Sequence, residues 1–133
     1  HSHRRRALIV EDDPMTRDWL RRTLERVGWE IAEAANGRLA IEHVATNTPD
    51  LILLDLLMPD MDGFEFLTAL RRQAAGARVP VIVITAKEIT DEECRRLNGC
   101  VDRILRKGGL SPSDLVSEVR ALLQSDPARQ ARS

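Results

Sequence analysis

Short apolar runs alternate along this chain with longer segments whose apolar residues recur every three or four positions. Ala7-Leu8-Ile9-Val10 is apolar throughout, the pattern of a strand covered on both faces. Asp13-Pro14 predicts a helix start, an acceptor side chain followed by proline at the first helical position. Leu20, Leu24 and Val27 continue at helical spacing to Gly28, which stops the helix. Trp29 to Ala34 alternates and predicts a shorter strand. Asn36 to Ala45 predicts a small helix with Ala40, Ile41 and Val44 turned inward. Leu51 to Leu54 is a second compact apolar run, behind Pro49-Asp50. A loop with Pro59 and Gly63 leads to a helix whose apolar positions include Phe64, Leu67 and Leu70. Val81 to Ile84 consists wholly of β-branched residues and predicts a buried strand. Thr90 to Leu97 predicts a short helix and Val101 to Leu105 a last strand. Ser111-Pro112 opens a final helix with Leu115, Val119 and Leu122 on one face.

Five strands and five helices in strict alternation imply an α/β fold, a doubly wound five-stranded parallel sheet flanked by helices on both sides. The chain has 133 residues, the length of one domain able to bury a single core. We divide it into a leader or linker over residues 1–6, a domain over 7–124, and a polar tail or linker over 125–133. The His1-Ser2-His3 start reads as an appended remnant, and the whole as a domain trimmed from something longer.

Composition narrows the function classes. The apolar fraction of 43% fits a globular domain, and a formal net charge of -1 gives no general attraction to nucleic acid or acidic membranes. We expect neither partner. Arg4-Arg5-Arg6 is a local basic cluster, read as a solvated lead-in to the first strand. Cys94 and Cys100 fit no metal-type cysteine cluster and read as reduced thiols of a cytoplasmic domain. No apolar run approaches the roughly 20 residues of a membrane span.

The chemistry collects at the strand ends. In such sheets ligands bind outside the carboxyl ends of the strands, where the strand order reverses. There the sequence places Glu11-Asp12-Asp13 after the first strand, Asp55 after the third, Thr85 after the fourth, and Arg106-Lys107 after the fifth. Carboxylates packed together are unfavourable without a compensating cation. Mg²⁺ is hard, prefers oxygen, and takes one or two carboxylates while keeping several waters. Asp12 and Asp55 can supply such oxygens, with Glu11 holding a metal-bound water. Thr85 and Lys107 suit phosphoryl oxygens as hydrogen-bond donor and point charge. Asp13 reads as a helix cap.

With those residues in view, the sequence resembles the receiver domain of bacterial two-component response regulators. The matching stretches are Ala7 to Asp13, Leu53 to Gly63, Val83-Ile84-Thr85-Ala86 and Leu105-Arg106-Lys107, and the resemblance extends from about Ala7 to Leu123. It implies the flavodoxin-like receiver fold. It implies that Asp55 is the phosphoacceptor, receiving a phosphoryl group from a histidine kinase or a histidine phosphotransfer domain. Glu11, Asp12 and Asp55, with the backbone carbonyl of Leu57, would organise Mg²⁺ or Mn²⁺. Thr85 would turn toward the phosphoryl oxygens, Lys107 would pair with them, and Ala86 would leave room for the group. The last helices would serve an effector or a second copy.

Two departures from the family pattern stand out. Ile104 occupies the position where an aromatic switch residue is common, and Lys107 is followed by Gly108-Gly109 rather than proline. Leu57 is apolar and cannot orient an attacking water, so we expect slow autodephosphorylation and a long-lived phosphoryl state. The segments Thr85-Ala86-Lys87-Glu88, Arg96-Leu97-Asn98-Gly99 and Lys107-Gly108 look more like receivers at the carboxyl end of hybrid histidine kinases. An unphosphorylated receiver-like docking module is the alternative function. A flavin or dinucleotide binder is disfavoured, since the loop after the first strand is acidic and lacks glycine.

Overall fold

The structure is a computed structural model, and it describes residues 4–58 and 61–124. The anticipated tail and the first three residues of the leader lie outside the described residues, as do Pro59 and Asp60 of the loop. Ten elements follow in alternation: β1 (Arg6–Val10), α1 (Pro14–Glu25), β2 (Glu30–Ala34), α2 (Gly37–Thr46), β3 (Leu51–Leu54), α3 (Gly63–Arg72), β4 (Val81–Thr85), α4 (Asp91–Leu97), β5 (Arg103–Arg106) and α5 (Pro112–Gln124). The strands form one parallel sheet in the order β2-β1-β3-β4-β5. The order reverses between β1 and β3, and this places a crevice at their carboxyl ends.

The uninterrupted apolar runs bury both faces of the sheet. Ala7 and Ile9 of β1 pack with Leu20 and Leu24 of α1 and with Leu115, Val119 and Leu122 of α5. Leu8 and Val10 face the opposite way, toward Ala40 and Val44 of α2, Phe66, Leu67 and Leu70 of α3, and Leu97 of α4. Because alternate residues of a strand point to opposite faces, a strand covered on both sides needs apolar residues throughout.

Local signals set the element ends. Asp13 caps α1, its carboxylate accepting from Thr16 N at 3.1 Å. Gly28 closes the turn after α1 at φ 98°, where an L-residue would be strained. Asp62 and Glu65 form a capping box at α3, as do Thr90 and Glu93 at α4.

Some expectations shift. Val27 lies beyond α1 and is exposed, because the chain has already turned there. Phe66, not Phe64, is the fully buried aromatic of α3; Phe64 is half-buried under the Arg96 guanidinium, 4.3 Å from its ring centre. Trp29 precedes β2, its N–H bonding back to Leu24 O. Val101 makes only an isolated bridge with Asn98, so β5 begins at Arg103. Arg6 belongs to β1, its N–H donating to Asp50 Oδ2 at 2.9 Å. Cys94 is exposed and Cys100 half-buried, and both are free thiols. No helix among the described residues is long and apolar enough to cross a membrane.

Candidate functional site

Sheet register brings the acids together. Val10 pairs with Leu54 across β1 and β3, and Asp55 N donates to Val10 O at 3.0 Å. Glu11 stays tied to the other neighbour through its N–H to Ala34 O at 3.0 Å. Glu11 and Asp55 therefore emerge from adjacent strands into one cleft. Oxygens of Glu11, Asp12 and Asp55 all lie within 4.8 Å of one another. Glu11 and Asp55 are 2% and 5% exposed, whereas Asp12 stands at the open rim.

Lys107 supplies the balancing cation. Its N–H donates to Thr85 O at 3.0 Å, which continues the sheet past β5 and aims the side chain back across β4. Lys107 Nζ lies 2.8 Å from Glu11 Oε1 and 3.1 Å from Asp55 Oδ2. The remaining oxygens are also held: Leu57 N donates to Asp55 Oδ1 at 3.2 Å, and Asp13 N to Glu11 Oε2 at 3.1 Å. Each buried carboxylate thus accepts one main-chain and one ammonium hydrogen bond.

The charges remain unequal, with three carboxylates facing one ammonium. Burial pushes the Glu11 carboxyl up to about 7; hydrogen bonds from Lys107 and Asp13 pull against it, and the charge of Asp55 adds to the rise. Burial also opposes the charge on Lys107, but Glu11 and Asp55 outweigh it and raise the ammonium above its usual value. An acidic, all-oxygen cluster that its own lysine only partly neutralises has the donor chemistry of a hard divalent cation site.

The other anticipated residues sit around this cluster. Thr85 closes β4, fully buried, its hydroxyl accepting from Lys87 N at 3.2 Å. Ala86 is exposed beside it. Leu57 is 51% exposed, so its apolar side chain stands at the mouth of the cleft. Ile104 is half-buried on β5 opposite Val83, packed against the α2-α3-α4 side of the core. It is thus set apart from the carboxylates, one strand beyond Thr85.

The sequence reading missed Arg17. Its Nη1 donates to Glu11 O at 2.8 Å, and its Nε meets Glu33 Oε1 at 2.9 Å. The available signal was its place one turn into α1, four positions past the end of the acidic run.

Residues 7–120 match the family model described as the response regulator receiver domain. The chain belongs to this family. Response regulator MprA of Mycolicibacterium vanbaalenii is 35% identical over 119 residues, covering 90% of this chain and 50% of that protein. The chain therefore spans about half the length of the curated relatives it matches. The Vibrio cholerae chemotaxis protein CheY4 superposes with a TM-score of 0.84 at 27% identity, covering 91% of this chain and 100% of that one. The signal receiver domain of a histidine kinase from Syntrophus aciditrophicus gives 0.79 at 32% identity, with 92% of each chain covered. The receiver domain of a sensor histidine kinase from Pseudomonas aeruginosa gives 0.78 at 25% identity over 92% of this chain and 97% of that one, and holds a magnesium ion in its active-site cleft. This receiver domain thus matches both response regulators and receivers of histidine kinases, and a phosphoacceptor role fits both.

Proposed function

We propose that Asp55 is the phosphoacceptor of this receiver domain, and that it accepts the phosphoryl group from the phosphohistidine of a histidine kinase or phosphotransfer domain. The observation that carries this reading is the double contact of Lys107 Nζ with Asp55 and Glu11, which sets a cation on a buried carboxylate at the strand-order reversal.

In the reaction, a carboxylate oxygen of Asp55 bonds to phosphorus as the bond from phosphorus to the donor imidazole nitrogen breaks. The imidazole nitrogen keeps the electron pair. Leu57 N and Lys107 Nζ hold the carboxylate in place beforehand, which reduces the ordering left to the moment of transfer. Lys107 then pairs with the incoming phosphoryl oxygens, and the Thr85 hydroxyl turns from Lys87 N to donate to them. Ala86 adds no bulk beyond a methyl at that step. Glu11, Asp12, Asp55 and the Leu57 carbonyl would hold Mg²⁺. A bound Mg²⁺ would offset the negative charge on Asp55 and on the phosphoryl oxygens. The exposed apolar Leu57 leaves hydrolysis of the acyl phosphate without an orienting side chain there, so the phosphoryl state is long-lived.

Phosphorylation adds about 1.5–2 negative charges beside Thr85 and Lys107. With Ile104 in place of an aromatic ring, the response passes through Thr85 and the loop to α4. The test is intact mass after incubation with acetyl phosphate, with and without Mg²⁺, for the wild type and Asp55→Asn. A Mg²⁺-dependent gain of one phosphoryl group in the wild type alone supports the assignment. Equal labelling of the variant rejects it.

A further inference from the structure

We propose that Arg17 is a positioning residue for the acidic turn after β1, and that its contacts set the affinity of the carboxylate cluster for a divalent cation. The inference rests on the reading of Glu11, Asp12 and Asp55 as a Mg²⁺ site and extends it to a side chain on α1.

The turn between β1 and α1 leaves the sheet at Glu11, whose N–H makes its last strand-type bond, to Ala34 O. The Glu11 and Asp12 carbonyls that follow lie between two regular elements. Arg17 Nη1 donates to Glu11 O at 2.8 Å and reaches Asp12 O at 3.5 Å, the outer edge of hydrogen bonding. Arg17 N donates to Asp13 O at 3.0 Å, the first i to i−4 bond of α1, which fixes the place of the residue beside the turn.

The guanidinium is anchored from behind. Its Nε lies 2.9 Å from Glu33 Oε1 in β2, and the second oxygen of Glu33 takes Arg21 Nε at 3.3 Å. A planar fork is thereby clamped between β2 and the acidic turn, with the Arg17 side chain only 21% exposed. Arginine suits this role because its donors are fixed relative to one another, whereas a lysine ammonium is a single point that cannot span both partners.

The other arginines of α1 behave differently. Arg21 and Arg22 pair with the carboxylates of Asp18, Glu25 and Glu33. Among the described residues, the side-chain hydrogen bonds to the Glu11 and Asp12 carbonyls come from Arg17. The carboxylates of Glu11 and Asp12 hang from the peptide units that Arg17 restrains. Releasing those units lets the Asp12 carboxylate, exposed at the rim, swing away from Asp55. Partners that orient metal ligands without touching the metal commonly govern affinity in this way.

The test is calorimetric titration of the full chain with Mg²⁺ for the wild type, Arg17→Gln, Arg17→Lys, Glu33→Gln and, as a control, Arg22→Gln. Thermal unfolding in chelator is measured for each. Arg17→Gln should weaken Mg²⁺ binding about 10-fold, Arg17→Lys and Glu33→Gln less, and Arg22→Gln not at all. Labelling by acetyl phosphate should recover at saturating Mg²⁺. A purely structural role would lower the unfolding temperature in chelator and leave the affinity of the folded protein unchanged, and that result overturns the proposal. If Arg17→Gln does not fold, Arg17→Lys and Glu33→Gln decide in its place: weakened binding supports the proposal and wild-type binding overturns it. A wild type that binds no Mg²⁺ overturns the site reading itself, an outcome distinct from equal binding by wild type and variants.

Discussion

Lys107 Nζ rests 3.1 Å from Asp55 Oδ2, joining residues 52 positions apart in the chain. The same ammonium touches Glu11 at 2.8 Å, so one cation bridges the carboxyl ends of β1 and β3. Two buried carboxylates on neighbouring strands would repel each other without it. The lysine therefore has a role before any phosphoryl group arrives. It orients the Asp55 carboxylate, and under the proposed function it would then exchange a carboxylate oxygen for a phosphoryl oxygen.

Lys107→Ala should destabilise the protein in chelator by about 1–3 kcal/mol, because both carboxylates lose a charged partner inside the cleft. Urea unfolding measures this loss, and added Mg²⁺ should narrow the gap to wild type. Some labelling by acetyl phosphate should persist, since Asp55 remains, while the chemical-shift response of the loop after β4 shrinks. An unchanged response would show that Lys107 takes no part in the switch.

Glu11 predicts the pH dependence. Its carboxyl titrates at about 7 in the folded chain against an ordinary value of 4.5, so between these values the folded state binds more protons than the unfolded state. The contribution of Glu11 to metal-free stability is therefore most favourable at or below pH 4.5. It falls as pH rises to 7 and levels off above. Glu11→Gln should remove that slope. Allowing for the weaker partner left to Lys107, the gain in chelator should be about 1–2 kcal/mol at pH 8 and near zero at pH 4.5. Mg²⁺ binding should weaken in the same variant. Parallel stability curves for the two proteins would contradict the assignment.

Gly63 should prove intolerant of any side chain. A Cβ there would lie 2.7 Å from Leu56 Cα and 3.1 Å from Asp55 O, main-chain atoms of Asp55 and its neighbour. Gly63→Ala should cost about 1–3 kcal/mol in urea unfolding and slow labelling by acetyl phosphate through displacement of that segment. Wild-type stability and rate would show that the α3 end can shift freely.

Much of this was legible in the residue pattern. Apolar runs such as Leu51 to Leu54 carry no polar alternation, which identifies strands covered on both faces, and each run ends where the chemistry begins. Asp12, Asp55, Thr85 and Lys107 could be placed at strand ends because a parallel sheet aligns those ends. Residues whose direction depends on packing were less legible. Phe64 and Phe66 both lie in the first turn of α3; Phe66 enters the core between the sheet and α2, and Phe64 meets Arg96 of α4 instead. Arg17 reads as an ordinary polar helix position, because its reach to Glu11 O depends on the angle at which α1 leaves β1 and on Glu33 in another strand. The close packing at Gly63 depends in the same way on where α3 meets Leu56.

The most direct measurement is the position of the acyl phosphate. The chain is phosphorylated with acetyl phosphate and Mg²⁺, reduced with borohydride, digested and sequenced by mass spectrometry, since reduction converts an aspartyl phosphate to homoserine. The account predicts homoserine at position 55, dependent on Mg²⁺ and absent from untreated protein. Phosphorylated protein with homoserine elsewhere, or with an unreduced Asp55, would contradict it.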